Sequence, residues 1–157
     1  MPYPIRLATL ADVTIIIRFR RCMFAEMGYT PYTEAVGMDA AYRAWLEPRL
    51  ERGDHIGWLA LDEHERPVGS VGVELLYSAP HPVDLSTRRG HLVNVWIEPA
   101  HRRRGLARQL TQTAMDWCMG QGIRVMTLSA SDAGRPLYES LGFKASSEMV
   151  CVLEELL

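Results

Sequence analysis

The stretch from Leu92 to Met119 constrains the fold more than any other part of the chain. Val93, Val95 and Ile97 alternate with Leu92, Asn94 and Trp96, which is the period of a strand. Pro99 ends it, and an Arg-rich turn follows. Leu106, Leu110, Ala114 and Trp117 then recur on one face of a helix predicted over Arg104–Met119, and Gly120 and Gly122 close it. A strand that turns into an amphipathic helix needs a parallel strand to return to, and Ile123–Ser129 reads as that strand.

The flanking elements agree with a mixed α/β domain. Ile5–Ala8 reads as a first strand, and Thr9-Leu10-Ala11-Asp12 has the shape of a capping box, so a helix is predicted from about Ala11. Ile16, Phe19, Met23 and Met27 continue it as one apolar stripe, read as core packing, until Gly28. Thr30 to Gly37 reads as loop. A second helix is predicted over Asp39–Glu51, with Pro48 expected to kink it or end it early. Ile56–Leu61 and Val68–Leu76, joined by the charged turn Asp62–Pro67, form a hairpin. A mobile loop is expected from about Tyr77 to Arg89. Ser131 or Asp132 can N-cap a helix running to Leu141, and Glu148–Leu153 reads as a final strand. The order is β, two helices, a hairpin, then β-α-β-α-β, in a partly parallel sheet flanked by helices.

Composition narrows the function. The 157 residues suit one domain, 1–157, and 48% hydrophobic residues suffice for a core. A net charge of −2 argues against a general nucleic-acid binder, despite Arg supplying all the basic side chains but Lys144. Cys22, Cys118 and Cys151 are widely spaced, so no metal site or redox pair is expected. Reduced thiols, no secretion signal and no apolar run near the about 20 residues of a membrane span point to a cytoplasmic protein away from membranes.

The chemistry concentrates at Arg102-Arg103-Arg104-Gly105-Leu106-Ala107-Arg108. The first turn of a helix carries amides without intrahelical partners, and its dipole favours an anion. Gly105 removes a side chain where a ligand would approach, Ala107 is small, and four Arg residues add positive charge. The physical reading is a phosphate or pyrophosphate cradle. Neither the phosphate-loop motif of nucleotide hydrolases nor the dinucleotide-binding glycine motif is present.

Arg102–Ala107 resembles the [QR]xxGx[GA] signature of the GNAT superfamily, the acyl-CoA-dependent N-acetyltransferases. Val95–Pro99 is similar to that family's fourth strand, and Leu137-Tyr138-Glu139-Ser140-Leu141-Gly142-Phe143 to its second motif. The motif-level resemblance covers about residues 90–145. It implies a single domain whose mixed central sheet has splayed parallel strands in the middle, and acetyl-CoA as co-substrate. It places the pyrophosphate on the amides of Arg103, Arg104, Gly105, Leu106, Ala107 and Arg108, with Arg102 opening the signature. The pantetheine arm would pair with the backbone of Val95 and Ile97, and Tyr138 would protonate the departing thiolate. Ser131 stands where many members carry a cofactor-contacting Asn.

The base for the acceptor amine is open among Glu74, His91, Glu98 and solvent, with Asn94 placed to orient an acceptor or a water. The acceptor site is expected between the first two helices and the 77–89 loop, where Glu26, Tyr29, Tyr32, Tyr42 and Trp45 could hold a cationic amine. A small molecule or a peptide both fit, and a homodimer could use Trp96 and the C-terminal strand. The alternative is a non-catalytic acyl-CoA sensor that keeps the cradle and lacks the chemistry. A more distant one is an RNA-binding protein using the Arg cluster.

Overall fold

The computed structural model describes residues 3–29 and 37–157. Its elements are β1 (Ile5–Leu7), α1 (Val13–Phe24), α2 (Met38–Arg52), β2 (His55–Leu61), β3 (Pro67–Tyr77), β4 (Arg88–Ile97), α3 (Leu106–Gly120), β5 (Met126–Leu128) and α4 (Arg135–Ser140). The strands lie in sequence order in one sheet. The first three pairings are antiparallel, and β4 with β5 is parallel. This is the expected mixed sheet with helices on both faces.

The burial pattern of β2 explains the two layers. Leu59 and Leu61 meet Val13, Ile16, Phe19 and Leu46 of α1 and α2 on one face. Trp58 and Ala60 point the other way, into Val71, Val73, Leu106, Leu110 and Ala114. A strand covered on both faces reads as a continuous apolar run, and Trp58-Leu59-Ala60-Leu61 is one. The capping box forms: the Thr9 N–H donates to Asp12 Oδ2 at 2.8 Å, and the Thr9 hydroxyl accepts from the Ala11 N–H. It caps a 3-10 turn that leads into α1.

β4 and β5 pair only over Gly90–Leu92 and Met126–Leu128, and no ladder continues beyond. Beyond Leu92 the rest of β4 has no β5 partner, and the parallel pair lies at the edge of the described sheet rather than in its middle, because residues 148–153 add no strand outside β5. In β3–β4 the register shifts: Ser70 faces Trp96, whereas Gly72 faces Val93. Asn94 and Val95 therefore oppose Val71 alone, a bulge in which Asn94 adopts φ 57°.

Several boundaries differ from expectation. Pro48 does not end α2, which runs to Arg52. Leu46 is fully buried and Leu50 half-buried in one core, so packing on both sides of the proline outweighs its missing N–H. β4 begins at Arg88, so the loop before it is shorter than 77–89. β5 is only three residues long, and α4 starts at Arg135, with Gly134 rather than Ser131 or Asp132 at its N-cap. Met23 packs beside the core, but Met27 is exposed. Residues 148–153 form no strand: they are exposed and without a ladder partner, and Leu153 opens a 3-10 turn, Leu153–Leu156. The predicted loop at 30–36 lies outside the described residues.

Candidate functional site

The turn after β4 is built by backbone hydrogen bonds. The Glu98 N–H donates to the Val68 carbonyl, and the His101 and Arg102 N–H groups donate to Glu98 and Pro99. Arg103 and Gly105 then both take left-handed conformations, φ 60° and 76°. Such residues around Arg104 turn successive N–H groups toward one concavity. The first intrahelical bond of α3 runs from Gln109 N–H to the Gly105 carbonyl, so the amides of Leu106, Ala107 and Arg108 have no intrahelical partner. A Cβ placed on Gly105 would meet no protein atom within 4 Å, so the cradle stands open at the glycine.

The four arginines divide. Arg102 turns away from the cradle: its Nε donates to the Ile97 carbonyl at 2.9 Å, and its Nη atoms grip both oxygens of Glu26 at 2.6 and 3.0 Å. Its guanidinium also lies over the Trp96 ring. Arg104 donates to the Tyr3 hydroxyl, and Arg108 to the Ser140 hydroxyl. Arg103 makes no side-chain hydrogen bond or ion pair among the described residues. The Ile97 carbonyl is thus already engaged by Arg102, while Val95 lies on β4 beyond its pairing with β5.

On the α1 side of the sheet the bulge carries a polar knot. The Asn94 Nδ2–H donates to the Tyr42 hydroxyl at 2.7 Å, and Asn94 Oδ1 accepts from Arg20 Nη1 at 2.7 Å. The Asn94 carbonyl accepts from the Ser70 hydroxyl. Asn94 is buried, and both its amide nitrogen and its amide oxygen are bonded to other side chains, so it positions its neighbours. The Arg20 guanidinium is sandwiched over the Phe24 and Tyr42 rings. Burial pulls the Arg20 guanidinium below its usual range and pushes the Tyr42 phenol above its own. Further along this face His55 and Glu74 are cross-strand partners in buried side-chain contact. Gly72 makes room for the imidazole: a Cβ there would come within 2.8 Å of His55 Cε1.

The other titratable candidates are held elsewhere. Glu98 pairs with Arg18 at 2.8 Å, and His91 Nδ1 lies 2.7 Å from the Thr127 hydroxyl. Glu26 is the Arg102 partner. Trp45 stacks on Tyr42 at the surface, Tyr29 is exposed, and Tyr32 lies outside the described residues.

Tyr138 on α4 is half-buried against the α3-side core and meets Phe143 edge-on. Burial pushes its phenol above the usual range. It lines a groove of about 880 Å³ that also touches Leu128, Leu141 and Phe143. The Ser131 hydroxyl accepts from the Gly134 N–H, holding the turn before α4. Cys118 is buried, and burial pushes its thiol up to about 11, so it is no nucleophile at neutral pH.

Sequence reasoning missed Arg20 and His55. Both had a signal. Arg20 lies four residues after Ile16, on the apolar stripe, and His55 shares the parity of Leu59 and Leu61.

Among the described residues no group of three or more His, Cys, Asp or Glu could hold a metal ion, and no helix is long and apolar enough to cross a membrane. Residues 20–143 match the family described as Acetyltransferase (GNAT) family. The chain resembles a GCN5-related N-acetyltransferase from Ralstonia eutropha, with 30% identity, a TM-score of 0.88 and coverage of 95% of this chain and 97% of that one. It shares its fold with a predicted acetyltransferase from Clostridium acetobutylicum solved with acetyl-CoA, at 21% identity, a TM-score of 0.87 and coverage of 96% and 97%. Human N-acetyltransferase 8 is 30% identical over 135 residues, which are 82% of this chain and 54% of that protein. The chain thus spans about half the length of that curated relative.

Proposed function

The chain belongs to the acetyltransferase (GNAT) family, and from that premise we propose that residues 1–157 are one cytoplasmic N-acetyltransferase domain moving an acetyl group from acetyl-CoA to a primary amine by direct attack. The observation that carries this reading is the open anion cradle at Gly105, reached by a stretch of β4 after Leu92 that has no β5 partner. The amides of Arg103–Arg108 would hold the pyrophosphate, with the Arg103 side chain as a free cation beside them. The Val95 backbone, left without a β5 partner, would pair with the pantetheine arm. Arg102 shapes the loop from behind.

Acetyl-CoA supplies the activated acyl group. The chain's own residues position it and move protons. Tyr138, kept protonated by burial, donates its phenolic proton to the sulfur that departs as the amine's C–N bond forms. Glu74, braced by His55, takes the proton released by the amine; of the three candidate bases it alone is deeply buried. The Asn94–Tyr42–Arg20 knot fixes the bulge of β4. No thiol is needed, because the acyl group passes directly to nitrogen. The acceptor is a small-molecule or peptide amine.

Calorimetric titration with acetyl-CoA, with ATP as control, tests the cradle. Micromolar binding of acetyl-CoA alone supports the reading, and a folded protein that binds neither sinks it. Thiol release on adding amines then separates the enzyme from a non-catalytic sensor.

A further inference from the structure

Arg20 is a cation for which the described residues supply no anion. Elsewhere on α1 and α2, Arg18, Arg21 and Arg43 pair with Glu98, Asp39 and Glu47. The Arg20 guanidinium lies instead over the Phe24 and Tyr42 rings, 4.7 and 4.2 Å from their centroids. Its Nη1 is spent on Asn94 Oδ1, an amide without charge, and its Nε is out of solvent with no hydrogen-bond partner. Among the described residues Nη2 has no partner either, and it is not closed off from solvent as Nε is. Rings and a neutral amide orient a guanidinium without neutralising it, and withdrawing a cation from water costs stability until an anion joins it. Glu74 does not fill that role. It faces the same side of the sheet, since its neighbour Val73 packs into the α3-side core, and its charge reaches Arg20 through space. Its contact is with His55, and it forms no ion pair with Arg20.

We propose that Arg20 receives a carboxylate of the acceptor, so that the amine acetylated here is the amino group of a free amino acid or a close analogue. The inference rests on the acetyl-transfer reading above and adds the class of the acceptor. The two ends of such a molecule match the two charges on this face: its carboxylate goes to Arg20 Nη2, and its amino group turns toward Glu74, the base assigned above. A guanidinium already fixed by two rings and one amide presents its remaining donor in a set direction, so the carboxylate is oriented as well as attracted. The carboxylate itself does not react. The C–N bond forms as the C–S bond breaks, the amine's proton passes to Glu74, and the products are the N-acetyl amino acid and the CoA thiol.

Thiol release from acetyl-CoA reads the discrimination, with the common amino acids each set beside its primary amide and its decarboxylated amine. The amide stands for a peptide N-terminus. The best free acid is expected to exceed its amide at least about tenfold in kcat/KM, the scale of a charge-assisted hydrogen bond. Arg20→Gln is expected to bring that ratio close to one through the KM of the acid, and Arg20→Lys to keep part of it. An Arg20 that only holds the bulge would lower acid and amide alike and leave the ratio intact, which overturns the proposal. Should Arg20→Gln lose its fold by circular dichroism, the wild type and Arg20→Lys decide: a preference for the acid that Lys weakens through KM supports the proposal, and any other pattern overturns it. A wild type that acetylates amides or plain amines as well as acids overturns this inference and leaves acetyl transfer standing. Acetyl-CoA bound with no amine turned over removes the transfer reading, and this inference with it.

Discussion

The Asn94 side chain donates to the Tyr42 hydroxyl at 2.7 Å, fastening the bulge of β4 to α2. Asn94 also holds a positive φ that β-branched residues resist. Asn94→Gly keeps the backbone but loses both side-chain bonds, and should cost about 1–3 kcal/mol. Asn94→Val adds left-handed strain of about 1–2 kcal/mol. Thermal unfolding should rank wild type above Gly and Gly above Val. Equal melting of the two variants would show that backbone strain is not at work.

Tyr138→Phe should lower kcat at least tenfold and leave acetyl-CoA affinity within about twofold, since general acids contribute 10²–10⁴-fold. Because burial raises the Tyr138 pKa, its acid form persists to higher pH than a free phenol. In the wild type, kcat should therefore not fall off through loss of this acid below the ordinary tyrosine range. An unchanged kcat in the Phe variant would remove Tyr138 from proton transfer.

At the cradle, Gly105→Ala introduces a Cβ that meets no protein atom but sits at φ 76°. Strain alone should cost about 1 kcal/mol of stability. Acetyl-CoA affinity should fall more than that, because the Cβ occupies the ligand's approach. Arg103→Ala should weaken binding severalfold at low salt, with the difference shrinking as salt rises. Calorimetry at two ionic strengths reads both variants.

Glycine 72 is predicted to be intolerant. A methyl there would come within 2.8 Å of His55 Cε1, a ring atom fixed by its contact with Glu74. Gly72→Ala should destabilise by about 1–3 kcal/mol through overpacking. His55→Ala in the same chain should recover part of that loss, as a double-mutant cycle in urea would show.

The bond from Arg6 holds the Asp12 carboxyl below its usual range, with the Thr9 N–H adding to it. A depressed carboxyl pKa contributes stability above the unfolded value near 3.8, lost as pH falls through the folded value. Asp12→Asn should therefore cost about 1 kcal/mol near pH 7, of the order of a lost cap, and progressively less as the medium turns acid. A penalty that stays constant down to pH 2 would assign the effect to shape rather than charge.

The sequence made the local devices readable. Thr9 and Asp12 announce a cap whose partners lie within three residues, and the Leu92–Gly105 turn is spelled by Pro99 and Gly105. What escaped depends on distant partners. The bulge at Asn94 interrupts no local pattern, because Asn tolerates a positive φ and Val93, Val95 and Ile97 still alternate on paper. Pro48 misled in the opposite sense, since burial of Leu46 decides the helix there. The strand-like pattern of 148–153 is real in composition, but a strand needs an edge to join, and no periodicity names one. Arg102 belongs to the signature by spacing, yet Glu26, seventy-six positions away, claims its guanidinium.

That last bond has a kinetic corollary. Arg102 ties the loop after β4 to Glu26, in the turn Ala25–Tyr29 that follows α1. An anion held by the loop's amides would order the segment that carries Arg102, and the end of α1 is tethered to that segment through Glu26. The two substrates should therefore bind in sequence rather than at random, with the nucleotide thioester leading and the amine following onto a surface already set.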